Sequence, residues 1–171
     1  MTSDNTNQVT WSENGQPYSE RFGDHFYSVE DGRAETAHVF IAGNQLHDRW
    51  KNGSNFTIGE LGFGTGLNFL ETWRQWRLAR TADQTLTFVS AEAFPLSDHD
   101  IRTALGAWPD LEALAECLGS NWQACRNGSV AMDAQTNLRV VVDDVLNGLA
   151  QFPTDIDCWY LDGFSPARNP D

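Results

Sequence analysis

The stretch "GELGFGTGLNF", residues 59–69, constrains the fold of this chain more than any other. Gly62, Gly64 and Gly66 stand at alternate positions, straight after an apolar run and one acid, Glu60. Three glycines so placed free the backbone for a sharp turn and let a neighbour, chain or ligand, approach the main chain itself. The run before them, "NFTIGEL" (55–61), reads as a buried strand. The segment after them, "LNFLETWRQWRLAR" (67–80), carries Leu67, Leu70, Trp73 and Arg77 on one face at helical period. Strand, glycine turn and helix in succession open a βαβ unit.

The pattern continues. "QTLTFVSAEAF" (84–94) reads as a second strand ending at Glu92. "SDHDIRTALGAW", with Ser97 or Asp98 as N-cap, and "PDLEALAECLG", with Pro109 in a first turn, read as two short helices. "SVAM" and "LRVVVDD" form a hairpin around "DAQTN", and "DIDCWYLDG" is a last buried strand ending in Asp162. The expectation is an α/β fold on an open, mostly parallel, Rossmann-like sheet. Ligands of such sheets bind outside the carboxyl ends of the strands, where Glu60, Glu92, Asp144 and Asp162 all fall. Residues 1–9 read as a polar, disordered tail. Residues 10–54 read as a small β-rich N-terminal region, with "HFYSV" and "AHVFIAG" as short strands around the turn-rich "EDGRAE". Residues 55–171 hold the Rossmann-like domain.

Length and composition narrow the function classes. At 171 residues, 40% of them hydrophobic, the chain has the size of one domain with a real core. It has no apolar run long enough for a membrane span and no secretory signal at its start, so a cytoplasmic location is expected. Cys117, Cys125 and Cys158 are an odd set without C-x-x-C spacing and read as buried free thiols. The four histidines have no ligand spacing, so no metal is expected. Eleven basic against 24 acidic residues give a net charge of −13, which opposes a broad phosphate-gripping surface. Arg74, Arg77 and Arg80 are spaced along one helix, and a solvated face is their simplest reading.

The motifs still point to a nucleoside. A dinucleotide turn wants G-x-G-x-x-G, but the sixth position counted from Gly62 is Leu67. The acid-x-G-x-G-x-G actually present suits S-adenosylmethionine, which has no pyrophosphate to cradle. Its plain alternative is a tight strand-to-helix turn. Glu92 stands where an acid accepts both ribose hydroxyls, although an exposed strand-end acid is an equal reading. Of Asp143 and Asp144, strand alternation lets one face the ligand, and Asp144 is assigned to the adenine amino group. In "LDGFSP", Asp162 could hold an amine and Phe164 line a planar base, with Pro166 stiffening the loop; a helix-entry acid with a core aromatic is the plain alternative.

"GELGFGTGLNFL", "SAEAFPLS", "VVDDVL" and "YLDGFSPARNPD", in this order and at these distances, resemble one family. It is the methyltransferase domain of the bifunctional tRNA 5-methylaminomethyl-2-thiouridine biosynthesis proteins. "FYSVEDGRAETAHVFIAGNQL" is similar to that domain's N-terminal segment, so the resemblance runs from about residue 10 to the end. It implies a Rossmann-like methyltransferase that takes S-adenosylmethionine and methylates the 5-aminomethyl group of the wobble uridine in tRNA. In two-domain members an FAD-dependent oxidase domain, absent here, makes that amine. By the same resemblance Glu60, Gly62, Gly64 and Gly66 line the methionine end, Glu92 the ribose, and Asp144 the adenine. Asp162 is the acid beside the transferred methyl, and Phe164 and Pro166 shape the substrate loop.

This chain has Asp143–Asp144 where the family has a Gly–Asp pair. The family also continues past "NPD", so a C-terminally incomplete sheet is expected. The alternatives are a truncated nucleoside-binding fragment without catalysis, and a methyltransferase with another amine acceptor. A nicotinamide oxidoreductase is more distant, because Leu67 breaks its fingerprint.

Overall fold

The computed structural model describes residues 9–28, 31–52 and 55–163. Three short strands, β1 (Val9–Trp11), β2 (Pro17–Ser19) and β3 (Asp24–His25), form an antiparallel sheet in the order β1-β2-β3. A short helix α1 (Gly32–Glu35) runs directly into a π-helical turn, Thr36–Ala42, and α2 (Leu46–Asn52) follows. The main sheet is built from β4 (Phe56–Leu61), β5 (Leu86–Ala91), β6 (Val130–Asp133), β7 (Thr136–Val141) and β8 (Cys158–Leu161). Between these strands lie α3 (Leu67–Ala79), α4 (Asp98–Leu105), α5 (Glu112–Asn127) and α6 (Val145–Leu149).

The main sheet has the order β6-β7-β5-β4-β8; β7, β5, β4 and β8 are parallel, and β6 pairs antiparallel with β7. From β4 the chain steps outward through β5 to β7, then returns to the far side of β4 for β8. The strand order therefore reverses at β4, and a crevice opens between β4 and β8 at their carboxyl ends.

Several expected elements hold. Ser97 caps α4, accepting the Asp100 N–H at 3.1 Å, and the hairpin is the β6–β7 pair. Pro109 opens a 3₁₀ turn that leads into α5, which at 16 residues is much longer than the short helix expected. "AHVFIAG" is helical instead of extended. Its β-branched and aromatic residues serve burial: Phe40 and Ile41 enter the core, and Phe40 stacks on Tyr160 at 4.7 Å. The N-terminal region is thus a small sheet followed by helices, and Val9, expected in the tail, already pairs with Ser19.

Helix α3 does not behave as a half-exposed amphipathic helix. Every residue from Leu67 to Trp73 is buried, as is Trp76, because the N-terminal helices cover one side and the sheet the other. Arg77, expected on the apolar face, is half exposed. Trp50, Trp73, Trp76, Phe69, Phe88 and Tyr160 are the largest fully buried side chains, and Trp50 meets Trp76 edge-on at 5.4 Å. Cys125 and Cys158 are buried free thiols, which burial pushes up to about 11, while Cys117 is partly buried. Among the described residues no helix is long and apolar enough to cross a membrane.

The glycine turn takes its shape from the protein's own packing. Gly62, Gly64 and Gly66 have φ of +92°, +53° and +81°, the left-handed region that side chains resist. A Cβ on Gly62 would lie 2.8 Å from the Asp162 carbonyl, and one on Gly66 would lie 2.9 Å from the Phe63 ring. Gly15 also has positive φ, but a Cβ there would meet nothing within 4 Å. Gly15→Ala should therefore cost on the order of 1 kcal/mol of stability for backbone strain alone. Gly62→Ala should cost about 3 kcal/mol or more, because strain adds to a backbone clash. Urea denaturation of both variants checks this, and equal losses would show that the approach of β8 to Gly62 carries no energy.

Candidate functional site

A cleft of about 840 Å³ lies over the carboxyl ends of β4, β5 and β8, within the usual size range of small-molecule sites. Its floor is the glycine turn, including Gly62 and Gly64, with Leu61, Ala91 and Asp162 at strand ends. The opposite wall comes from the N-terminal region, through Phe22, Asp24, His25, Phe26, Tyr27, Glu35, Thr36 and Phe40. Ala93, Phe94 and Val145 line the side beyond β5 and β7.

The acids predicted at strand ends take distinct posts. Glu60 is fully buried at the end of β4, and its Oε1 accepts from Asn68 Nδ2 at 3.1 Å. The same nitrogen donates to Asp162 Oδ2 at 2.7 Å, so one amide bridges the two carboxylates across the crevice. Glu92, just past β5, accepts the Gly64 N–H at 3.0 Å and the Phe94 N–H at 2.8 Å, tying the glycine turn to the next loop.

Asp144 departs from its expected post. Its Oδ1 accepts the N–H groups of Leu146 and Asn147, and its Oδ2 accepts from the Asn147 amide, which makes it the N-cap of α6. Neither Asp144 nor Asp143 lines the cleft. Strand alternation does not reach this pair, because β7 ends at Val141 and the chain has already turned toward the helix. Phe164 and Pro166 lie outside the described residues.

The electrostatics are one-sided. Among the described residues lining the cleft are Asp24, Glu35, Glu92 and Asp162, with no Lys or Arg. Burial drives the Glu60 carboxyl well above its ordinary range; the Asn68 amide and the nearby Ser90 hydroxyl oppose this, and Asp162 and Glu92 add to it by repulsion. Ser90 Oγ stands near Glu60 without completing hydrogen-bond geometry, and both it and Glu60 Oε2 are buried without a partner among the described residues. Asp162 retains solvent access as a residue, yet the protein around its carboxylate is dense enough that desolvation raises its pKa. Asn68 works against that rise and Glu35 adds to it.

Two central residues went unassigned in the sequence. Asn68 is in the "GLNF" of the glycine motif, and Thr36 stands between the expected turn "EDGRAE" and the expected strand "AHVFIAG". The available signal was a polar residue in the first turn of a helix whose neighbours are all apolar. The three arginines along α3 and its C-cap are engaged: Arg74 with Glu71 at 2.7 Å, Arg80 with Asp133 at 2.9 Å, and Arg77 near Asp133 at 3.9 Å. That face therefore offers little free positive charge. Among the described residues no group of three His, Cys, Asp or Glu side chains is gathered to hold a metal.

The profile of an S-adenosyl-L-methionine-dependent methyltransferase family matches residues 109–171. The chain is 42% identical over 170 residues to the tRNA 5-methylaminomethyl-2-thiouridine biosynthesis bifunctional protein MnmC of Pseudomonas aeruginosa. It is 44% identical over 168 residues to the protein of the same name from Methylobacillus flagellatus. These alignments take in 96% and 95% of this chain but only 26% of either relative, so the chain spans about a quarter of their length. The crystal structure of MNMC2 from Aquifex aeolicus superposes with a TM-score of 0.70 at 17% identity, covering 96% of this chain and 52% of that one. The two share a fold.

A buried acid with a raised pKa makes stability fall as pH rises. The folded protein holds the Glu60 proton after the unfolded chain has released it, so this contribution is present below the ordinary value of 4.5 and is lost on the way up to the folded value. Across that window the stability of the native chain relative to Glu60→Gln should decline by up to about 1.4 kcal/mol per pH unit. Denaturation series at stepped pH read the slope; parallel curves for the two proteins would refute the assignment.

Proposed function

We propose that this chain is an S-adenosylmethionine-dependent methyltransferase unit acting on the 5-aminomethyl group of the wobble uridine in tRNA. The observation that carries the reading is the acidic cleft over a glycine turn. A site walled by Glu35, Glu92 and Asp162 with no described Lys or Arg favours a cationic ligand and repels a pyrophosphate. S-adenosylmethionine brings a methyl group on a positively charged sulfur together with an ammonium.

In this reading the chain's residues divide the work. Gly62 and Gly64 keep the backbone bare at the methionine end, over Glu60, and Gly66, packed against Phe63, turns the chain into α3. Glu92 keeps lone pairs for ribose hydroxyls while its oxygens hold Gly64 and Phe94. Ala93, Phe94 and Val145 form the apolar side suited to adenine, a part that Asp144 does not take because its carboxylate caps α6. Asp162 accepts hydrogen bonds from the incoming amine and aims its lone pair. Holding nitrogen, carbon and sulfur in line contributes most of the acceleration, roughly 7–11 kcal/mol at best. Phe164 and Pro166 are assigned to the substrate loop by sequence alone. A cytoplasmic location follows from the tRNA substrate, and FAD would belong to the part of the longer relatives that this chain does not span.

Calorimetric titration should show S-adenosylhomocysteine binding to the chain and NADH not binding. NADH binding, or binding of neither, would sink the reading. Asp162→Ala should lower methyl transfer to aminomethylated tRNA by about 100-fold or more. It should leave S-adenosylhomocysteine affinity within roughly threefold, since the carboxylate serves the acceptor. A collapse of cofactor affinity in this variant would reassign Asp162 to the cofactor.

A further inference from the structure

Asn68 is the residue through which the N-terminal region reaches the acids of the crevice. Its Nδ2 donates to Glu60 Oε1 at 3.1 Å and to Asp162 Oδ2 at 2.7 Å, which uses both of its hydrogens. Its Oδ1 accepts from Thr36 Oγ1 at 2.7 Å, and the same hydroxyl lies 3.0 Å from the Gly32 carbonyl. An amide oxygen only accepts, so once the two carboxylates take the NH₂ group, the Thr36 hydroxyl, which could otherwise give its one hydrogen to the Gly32 carbonyl, backs the amide from its oxygen side. With the oxygen held by Thr36, the NH₂ is turned toward the carboxylates; flipped, the oxygen would oppose two acids. Thr36 is buried at the first residue of the π-helical turn, a distortion frequently found at functional sites.

We infer that Asn68, backed at its amide oxygen by Thr36, is a positioning residue that holds the Asp162 carboxylate beside Glu60 across the β4–β8 crevice. The inference deepens the reading of Asp162 as the acid that orients the acceptor amine, and rests on it for its catalytic meaning. A salt bridge would not serve in Asn68's place, because a cation there would neutralise the acids meant for the ligand. A neutral amide holds both carboxyl groups and leaves the charge of Asp162 for the cleft. The other charged or titratable groups around Asp162 and Glu60 are Glu35 from α1, Glu92 beyond β5, Asp24 and His25 of β3, and Tyr160 of β8. None of these is a fixed cation.

The test is a ¹³C-detected carboxyl titration of the whole chain, with the Asp162 and Glu60 signals assigned from Asp162→Asn and Glu60→Gln. Because Asn68 favours the charged form of both acids, Asn68→Leu should move their midpoints to higher pH. Thr36→Val, nearly isosteric, should move the Asp162 midpoint in the same direction by a smaller amount, and Thr36→Ser should restore it. A merely structural role would lower the melting temperature and leave the midpoints in place. Coincident midpoints in all these proteins would overturn the inference, and the Thr36→Val and Thr36→Ser pair decides it even if Asn68→Leu fails to fold. Titrating S-adenosylhomocysteine into the same samples separates the two ideas. Binding with coincident midpoints overturns the positioning role and spares the methyl-donor reading. Shifted midpoints without binding support the positioning role and sink that reading.

Discussion

Two parallel strands, β4 and β8, run in register to Leu61 and Leu161, so the next residues, Gly62 and Asp162, meet where the sheet ends. The Asp162 carbonyl comes so near that a Cβ on Gly62 would lie only 2.8 Å from it. Everything around the cleft depends on this contact. It forces a glycine, it turns the chain from β4 toward α3, and it puts Asn68 in the first turn of that helix beside the ends of both strands. Close backbone packing and the placement of the acids are thus one event.

The acids gathered there are costly to hold together. Glu60 is buried, Asp162 is desolvated, and Glu35 and Glu92 add like charge. What offsets the cost is a set of neutral donors: the Asn68 amide to Glu60 and Asp162, and the Gly64 and Phe94 N–H groups to Glu92. Elsewhere the chain neutralises buried acids with arginine, as at Glu71 with Arg33 and Arg74. The contrast separates an ion-pair network that stabilises the body from a cleft whose negative charge is left available.

Most of the sheet was legible in the sequence because its strands are short apolar runs and its helices carry caps such as Ser97. The N-terminal helices were not. "AHVFIAG" has strand composition, and only the packing of Phe40 and Ile41 into the core makes it helical, a tertiary override of local preference. The α3 periodicity misled for the same reason: a helix covered on both sides has no polar face to mark its orientation. At Asp144 the alternation of β7 no longer applies, because the strand has ended at Val141 and capping chemistry takes over.

The sequence by itself determined the strand–glycine–helix turn, the positions of Glu60, Glu92 and Asp162 at strand ends, and the acidic balance of the chain. These are local properties: a glycine's φ range, an apolar run's length and a charge need no partner to be read. Which carboxylates meet, and what holds them, only the tertiary structure decided. Thr36, Asn68 and Asp162 are separated by 32 and 94 residues, and no local pattern records that one amide links a hydroxyl to an acid so distant in the chain.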